Sequence, residues 1–139
     1  IEGGGIIAGK EFDIDDFDVP EGVKFIGRAG FQGLTCLKRV IIPSSVETIE
    51  EDAFNGCVNL KEVKFSKGLK TIGHRAFANT GLCPENPLVI PDTVENISMK
   101  NPFPASAKYV YISYDMNSNC RRALTRCGLL LRSSYRYGY

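Results

Sequence analysis

A single histidine, five cysteines with no CxxC pair and no long apolar run set the first limits on this 139-residue chain. One imidazole and scattered thiols give no metal-ligand spacing. They also offer no Cys–His pair with a third group to orient the ring. His74, in the segment GHRAF, reads as an exposed residue. Gly3–Gly5 lacks the Lys and Ser/Thr that complete a phosphate loop. No stretch approaches the 18 or so apolar residues that would span a bilayer. No basic n-region followed by an apolar h-region is visible, although a chain that starts at Ile1 rather than Met leaves its location open. Lysine and arginine total 17 against 16 acids, so there is no general attraction to nucleic acid or an anionic membrane. An odd cysteine count argues against a disulfide framework. Cys36, Cys57 and Cys83 read as buried thiols. Cys120 and Cys127 on one helix would stand about 10 Å apart, too far to bridge. The acidic run DIDDFD lacks the glycine and terminal glutamate of a helix-loop-helix calcium site. Its acids fit the polar side of a terminal strand. These absences point to a non-enzymatic chain without cofactor or metal.

What is present is a repeat. Val46–Gly68 shifted back by 23 residues falls on Val23–Ser45, and shifted forward it falls on Leu69 onward. Val23, Val46, Leu69 and Val94 open the units, with Ile26, Ile49, Ile72 and Ile97 three residues later. Gly30, Ala53 and Ala76 each precede an aromatic ring, Phe31, Phe54 and Phe77. Leu37 and Leu60 follow, then the pairs Val40/Ile42, Val63/Phe65 and, after a two-residue insertion, Leu88/Ile90. A period of this size marks a solenoid, whose units bury their apolar faces only against each other. Alternation around Val40/Ile42 and Val63/Phe65 predicts one strand per unit. The stretch Ile49–Phe54 predicts a short helical turn on the opposite side, with Glu51 facing solvent. Pro43 and Pro91 turn the chain between the two.

The string V-x-x-I-x-x-x-A-F-x-x-C-x-x-L-x-x-V-x-F/I-P/S resembles the BspA-type leucine-rich repeat. Val46–Ser66 matches every named position. Val23–Pro43 departs at Gly30 and Leu34, and Leu69–Pro91 loosens between Thr80 and Pro87. The unit from Val94 keeps Val94 and Ile97, places Phe103 one residue late and offers Val110/Ile112 as its strand. The resemblance implies an α/β repeat solenoid of leucine-rich-repeat type. Its expected form is a right-handed coil with a parallel β-sheet on one face, short helical turns opposite and a C-terminal cap helix.

Residues 1–11 read as a flexible lead-in or expression remnant. Residues 12–114 form the solenoid: a half repeat at 12–22, then repeats 23–45, 46–68, 69–93 and 94–114. Residues 115–139 hold the cap helix and a Tyr/Arg-rich tail. Ser118 or Asn119 can cap that helix, Cys120, Ala123, Leu124 and Cys127 form its apolar stripe, and Gly128 ends it. The tail, with Tyr135, Tyr137 and Tyr139, reads either as an added strand or as an exposed end.

With Val40 and Ile42 inside, their neighbours face out. One outward column is then Asp16, Arg39, Glu62, Pro87, Tyr109; the next is Asp18, Ile41, Lys64, Val89, Tyr111. Tyrosines on a rigid sheet make good contact anchors. These columns, Pro87 apart, are the candidate protein-binding residues; ordinary solvated strands are the plainer alternative. Charge is also divided: residues 1–22 hold seven acids against Lys10, and residues 116–139 hold five arginines and no acid. Such ends invite weak head-to-tail self-association. The resemblance implies a protein ligand of unknown identity and a cell-surface or secreted adhesion module. A cytoplasmic scaffold, or a structural spacer with no ligand of its own, stays open. Asn96-Ile97-Ser98 is an N-glycosylation sequon.

Overall fold

The computed structural model describes residues 15–134. The expectations for residues 1–14 and for Tyr135, Tyr137 and Tyr139 lie outside them. Each coil lays down two short strands rather than one. The first series is β1 (Asp16–Asp18), β3 (Arg39–Ile41), β5 (Glu62–Lys64), β7 (Leu88–Val89), β9 (Tyr109–Ile112) and β10 (Leu130–Ser133). The second is β2 (Phe25–Ile26), β4 (Thr48–Ile49), β6 (Thr71–Ile72) and β8 (Asn96–Ile97). All pairings are parallel: sheet A is β1-β3-β5, sheet B is β2-β4-β6-β8 and sheet C is β7-β9-β10. The second series escapes sequence reading because each strand has two residues and only one inward side chain, which is too few to show alternation.

The expected helical turn is also different. From Glu51 to Gly56 the chain makes successive turns, bonded Ala53 N–H to Glu50 C=O (3.2 Å) and Asn55 N–H to Asp52 C=O (3.1 Å). Ala29, Asp52, Arg75 and Asn101, at matching places in four coils, all take positive φ between 45° and 60°. A left-handed residue inside the turn prevents a continuous right-handed helix and costs a side-chain-bearing residue about 1–2 kcal/mol. Bonds between coils offset that strain. The backbone N–H of Ala29 donates to Glu51 C=O, Asp52 to His74 C=O and Arg75 to Lys100 C=O, at 2.9–3.0 Å. Gly68 meets a stricter demand: its φ is +119°, and an added Cβ would collide with the Ser44 carbonyl of the preceding coil.

The core is a column of rings. Phe31 and Phe54 stack at 4.9 Å, Phe54 and Phe77 at 5.0 Å, and Phe77 and Phe103 at 5.2 Å, with planes within 7° of parallel. Phe17 tilts onto the amino end at 5.6 Å. Ile26, Ile49, Ile72 and Ile97 form a parallel column beside them, every one buried. Such rings contribute about 0.5–1.5 kcal/mol per pair beyond simple burial.

Sheets A and C are interrupted between β5 and β7. The insertion falls there, and Pro87, immediately before β7, has no N–H to give to a ladder. Beyond residue 114 the sheet continues. Helix α1 (Ser118–Arg126) packs on β8 and β10, and β10 pairs with β9. Its cap is Asn117, one residue before the expected position, accepting the Cys120 N–H at 2.8 Å. At its end Gly128 (φ 89°) donates to Thr125 C=O and Leu129 to Leu124 C=O, a Schellman closure with Leu129 buried.

Candidate functional site

The outward face of sheets A and C carries the residues singled out from the sequence. Strand register aligns Asp16, Arg39 and Glu62 in one row and Asp18, Ile41 and Lys64 in the next. Across the interruption, Val89 aligns with Tyr111, and β10 then places Leu130 beside Tyr109 and Arg132 beside Tyr111. Asp16, Asp18 and Lys64 are exposed; Arg39, Ile41, Glu62, Val89, Tyr109 and Tyr111 are half-buried. The two groups are not one continuous hydrogen-bonded sheet, since β5 and β7 belong to different sheets.

Their chemistry differs along the stack. On sheet A, Glu62 is shared: Arg39 Nε lies 3.3 Å from Oε1 and Lys64 Nζ lies 3.6 Å from Oε2. These pairs remain open to solvent on one side and contribute little stability, about 0–1 kcal/mol each, but they hold the three side chains against the sheet. On sheet C the Arg132 guanidinium lies 4.2 Å from the centroid of the Tyr109 ring, a cation–π contact. Leu130 remains 61% exposed beside it. Arg132 and Leu130 were missed as site residues because the tail could be read as either a strand or a loose end. The signal was the run LLLR directly after Gly128.

Several polar groups elsewhere are engaged. Arg75 bridges Asp52 (Nε to Oδ1, 2.9 Å) and Glu51 (2.9 Å), and Arg28 approaches Glu51 at 3.7 Å. Glu51 is therefore half-buried and paired, not simply solvated. His74 is exposed, with Nδ1 hydrogen-bonded to Ser98 Oγ. The buried Cys57 thiol donates to Phe31 C=O at 2.9 Å, and burial pushes it up to about 11. Burial likewise raises Cys120 and Cys127, so these three are poor nucleophiles at neutral pH. Cys36 and Cys83 are half-buried, less enclosed than their place in the repeat predicts. Among the described residues, no three His, Cys, Asp or Glu side chains converge as a metal site, and no helix is long and apolar enough to cross a membrane.

Coils of two parallel strands stacked on a phenylalanine column define a repeat solenoid. The chain belongs to the BspA-type leucine-rich-repeat family, whose repeat region matches residues 10–129 in six copies. No curated protein matches it. Among solved structures it is similar to the pneumococcal vaccine antigen PcpA, with a TM-score of 0.70 and 24% identity over 80% of this chain. It spans 27% of that antigen. It is also similar to the T. pallidum leucine-rich-repeat protein TpLRR, with a TM-score of 0.56 and 18% identity, covering 92% of this chain and 88% of the other. At these identities the likenesses show the fold.

Proposed function

We propose that the outward face of sheets A and C binds a protein ligand, and that the chain is a non-enzymatic recognition or adhesion module of a cell surface. The observation that carries this reading is the aromatic end of the face. Tyr109 and Tyr111 stand two residues apart on β9, with Arg132 laid over one ring and the exposed Leu130 beside it. Tyrosine and arginine are the side chains that dominate interface energetics, because they bury large area for few lost rotamers. Asp16, Asp18, Arg39, Ile41, Glu62, Lys64 and Val89 extend the contact toward the amino end. Family membership and the vaccine-antigen neighbour favour display at a surface.

The test is a binding screen against extracellular-matrix proteins and cell lysate, with wild type and a Tyr109→Ala, Tyr111→Ala, Arg39→Ala triple variant side by side. Losing anchors worth about 2 kcal/mol each should weaken capture of the ligand by well over tenfold. Equal capture by both proteins rejects this face.

A second reading has one observation in its favour: no disulfide joins any of the five cysteines, as suits an intracellular scaffold. A spacer without a ligand would bind nothing in the same screen. In either reading the coil is right-handed and α1 caps its last turns. The unequal charge at its two ends promotes weak head-to-tail association.

A further inference from the structure

The described asparagines are nearly all employed. Asn55 donates to Asp52 Oδ1 (3.0 Å), Asn59 to Thr35 C=O (2.7 Å) and Asn79 to Asn55 Oδ1 (3.0 Å). Asn86 reaches Lys61 C=O (3.4 Å), while Asn117 reaches Glu95 C=O (3.0 Å) and caps α1. Asn101 holds a left-handed corner at φ 45°, and Asn119 sits exposed in the first turn of α1. Asn96 is different. It lies at the end of a sheet row, exposed on the edge strand β8, and among the described residues its side-chain amide has no hydrogen bond. Its register partners along the row are Thr71, then Thr48, then Phe25. Those are good strand formers, whereas asparagine is depleted in strands. A residue that breaks the local preference of its row without a structural return marks a position kept for something else.

Two residues on, Ser98 completes an Asn-x-Ser acceptor. Residues i and i+2 of a strand share a face, so Asn96 and Ser98 both point outward while Ile97 between them is anchored in the core. Beside Asn96 runs a shallow trough of about 350 Å³ over sheet B, floored at Gly73 and edged by Thr48, Thr71 and His74. There is room for a sugar without displacing any packed group.

We propose that Asn96 is an N-glycan acceptor. The donor is a glycan carried on a polyprenyl pyrophosphate. Nδ2 of Asn96 forms a bond to the anomeric carbon of the first sugar, the bond from that carbon to the pyrophosphate oxygen breaks, and lipid pyrophosphate leaves. The amide gives up one proton. In the folded chain Ser98 Oγ is occupied by His74 Nδ1 and by the Lys100 N–H (3.0 Å). The acceptor is therefore used while the chain is still extended, before β8 docks on β6. A glycan placed there covers the trough on sheet B. None of Tyr109, Tyr111 or Arg39 lines that trough, so the sheet C tyrosines stay clear.

The experiment is to secrete the full 139-residue chain from a eukaryotic host behind a leader sequence and to measure intact mass before and after peptide-N-glycosidase. The wild type should carry a glycan-sized increment that the enzyme removes, leaving aspartate at position 96. Asn96→Gln and Ser98→Ala should both run unmodified, while Asn101→Gln should be modified like wild type. Asn96→Gln should melt with the deglycosylated wild type, since its side chain supports nothing else. Unmodified wild-type protein in the medium overturns the assignment, as does a glycan that survives Asn96→Gln. Either result leaves the binding screen on the tyrosine face to stand or fall by itself.

Discussion

Asp52 shows how much one side chain can hold in a coil of this size. It occupies a left-handed corner (φ 60°), accepts Arg75 Nε and Nη2 at 2.9 and 3.2 Å and accepts Asn55 Nδ2 at 3.0 Å. The Arg75 hydrogen bond, then the Asn55 bond, holds its carboxyl below the ordinary aspartate value, while burial opposes them. A pKa lowered by folding stabilises the native state above the ordinary carboxylate range, and that stability is lost as pH falls through the lowered value. Unfolding free energies of wild type and Asp52→Asn from urea titrations should therefore differ by about 1–2 kcal/mol at neutral pH, with the gap closing in acid once the wild-type carboxyl is protonated. A gap that stays constant with pH would show that the charge is irrelevant. Asp52 and Arg75 are 23 residues apart, one full period, so their adjacency was implicit in the sequence. What was hidden is that an arginine side chain leans back one coil. That also explains why Glu51, which spacing alone assigns to solvent, lies 2.9 Å from the same guanidinium.

At the level of elements, the column of rings was the most readable feature, because stacking requires the constant spacing that the eye finds first. Even Phe103, one residue late, closes onto Phe77. Phe54 has a ring on each side and is fully buried. Replacing it with alanine should cost about 3–5 kcal/mol, a large share of the about 5–15 kcal/mol typical of a whole domain. Denaturant unfolding of Phe54→Ala should show a transition at much lower concentration, or none in native buffer. A loss under about 1 kcal/mol would mean that the column does not support the stack. Less readable were the two-residue strands of sheet B. Thr48–Ile49 and Thr71–Ile72 carry one inward side chain each, and no periodicity can be read from one point. The turns were misread for a related reason. Spacings of four and five residues fit a helix, but the left-handed corner at Asp52 is a backbone property that Ala29, Asp52, Arg75 and Asn101 do not advertise by residue type.

For the molecule as a whole, charge and sheet continuity set what can be asked of the ends. Among the described residues, Asp15, Asp16, Asp18 and Glu21 precede the first base, Lys24, and Arg121, Arg122, Arg126 and Arg132 follow Met116 with no acid. If these ends meet head to tail, light scattering should report a larger mean mass at low salt that falls as screening shortens the range of attraction to about 8 Å near 0.15 M salt. Equal scattering at low and high salt removes that association. The row of candidate contacts was legible as a row, because strand alternation fixes which side chains face outward. Its division between β5 and β7 was not, since a two-residue insertion gives no sign of whether the ladder closes over it.

The corner shared by Ala29, Asp52, Arg75 and Asn101 has a wider consequence. At Ala29, Asp52 and Arg75 its shape is held by bonds to the adjoining rung and not by the residue that occupies it, so a methyl, a carboxylate and a guanidinium have all been installed there on one backbone. That flank of the molecule is a row of interchangeable sockets. Its display can be rewritten, rung by rung, while the aromatic spine beneath it stays as it is.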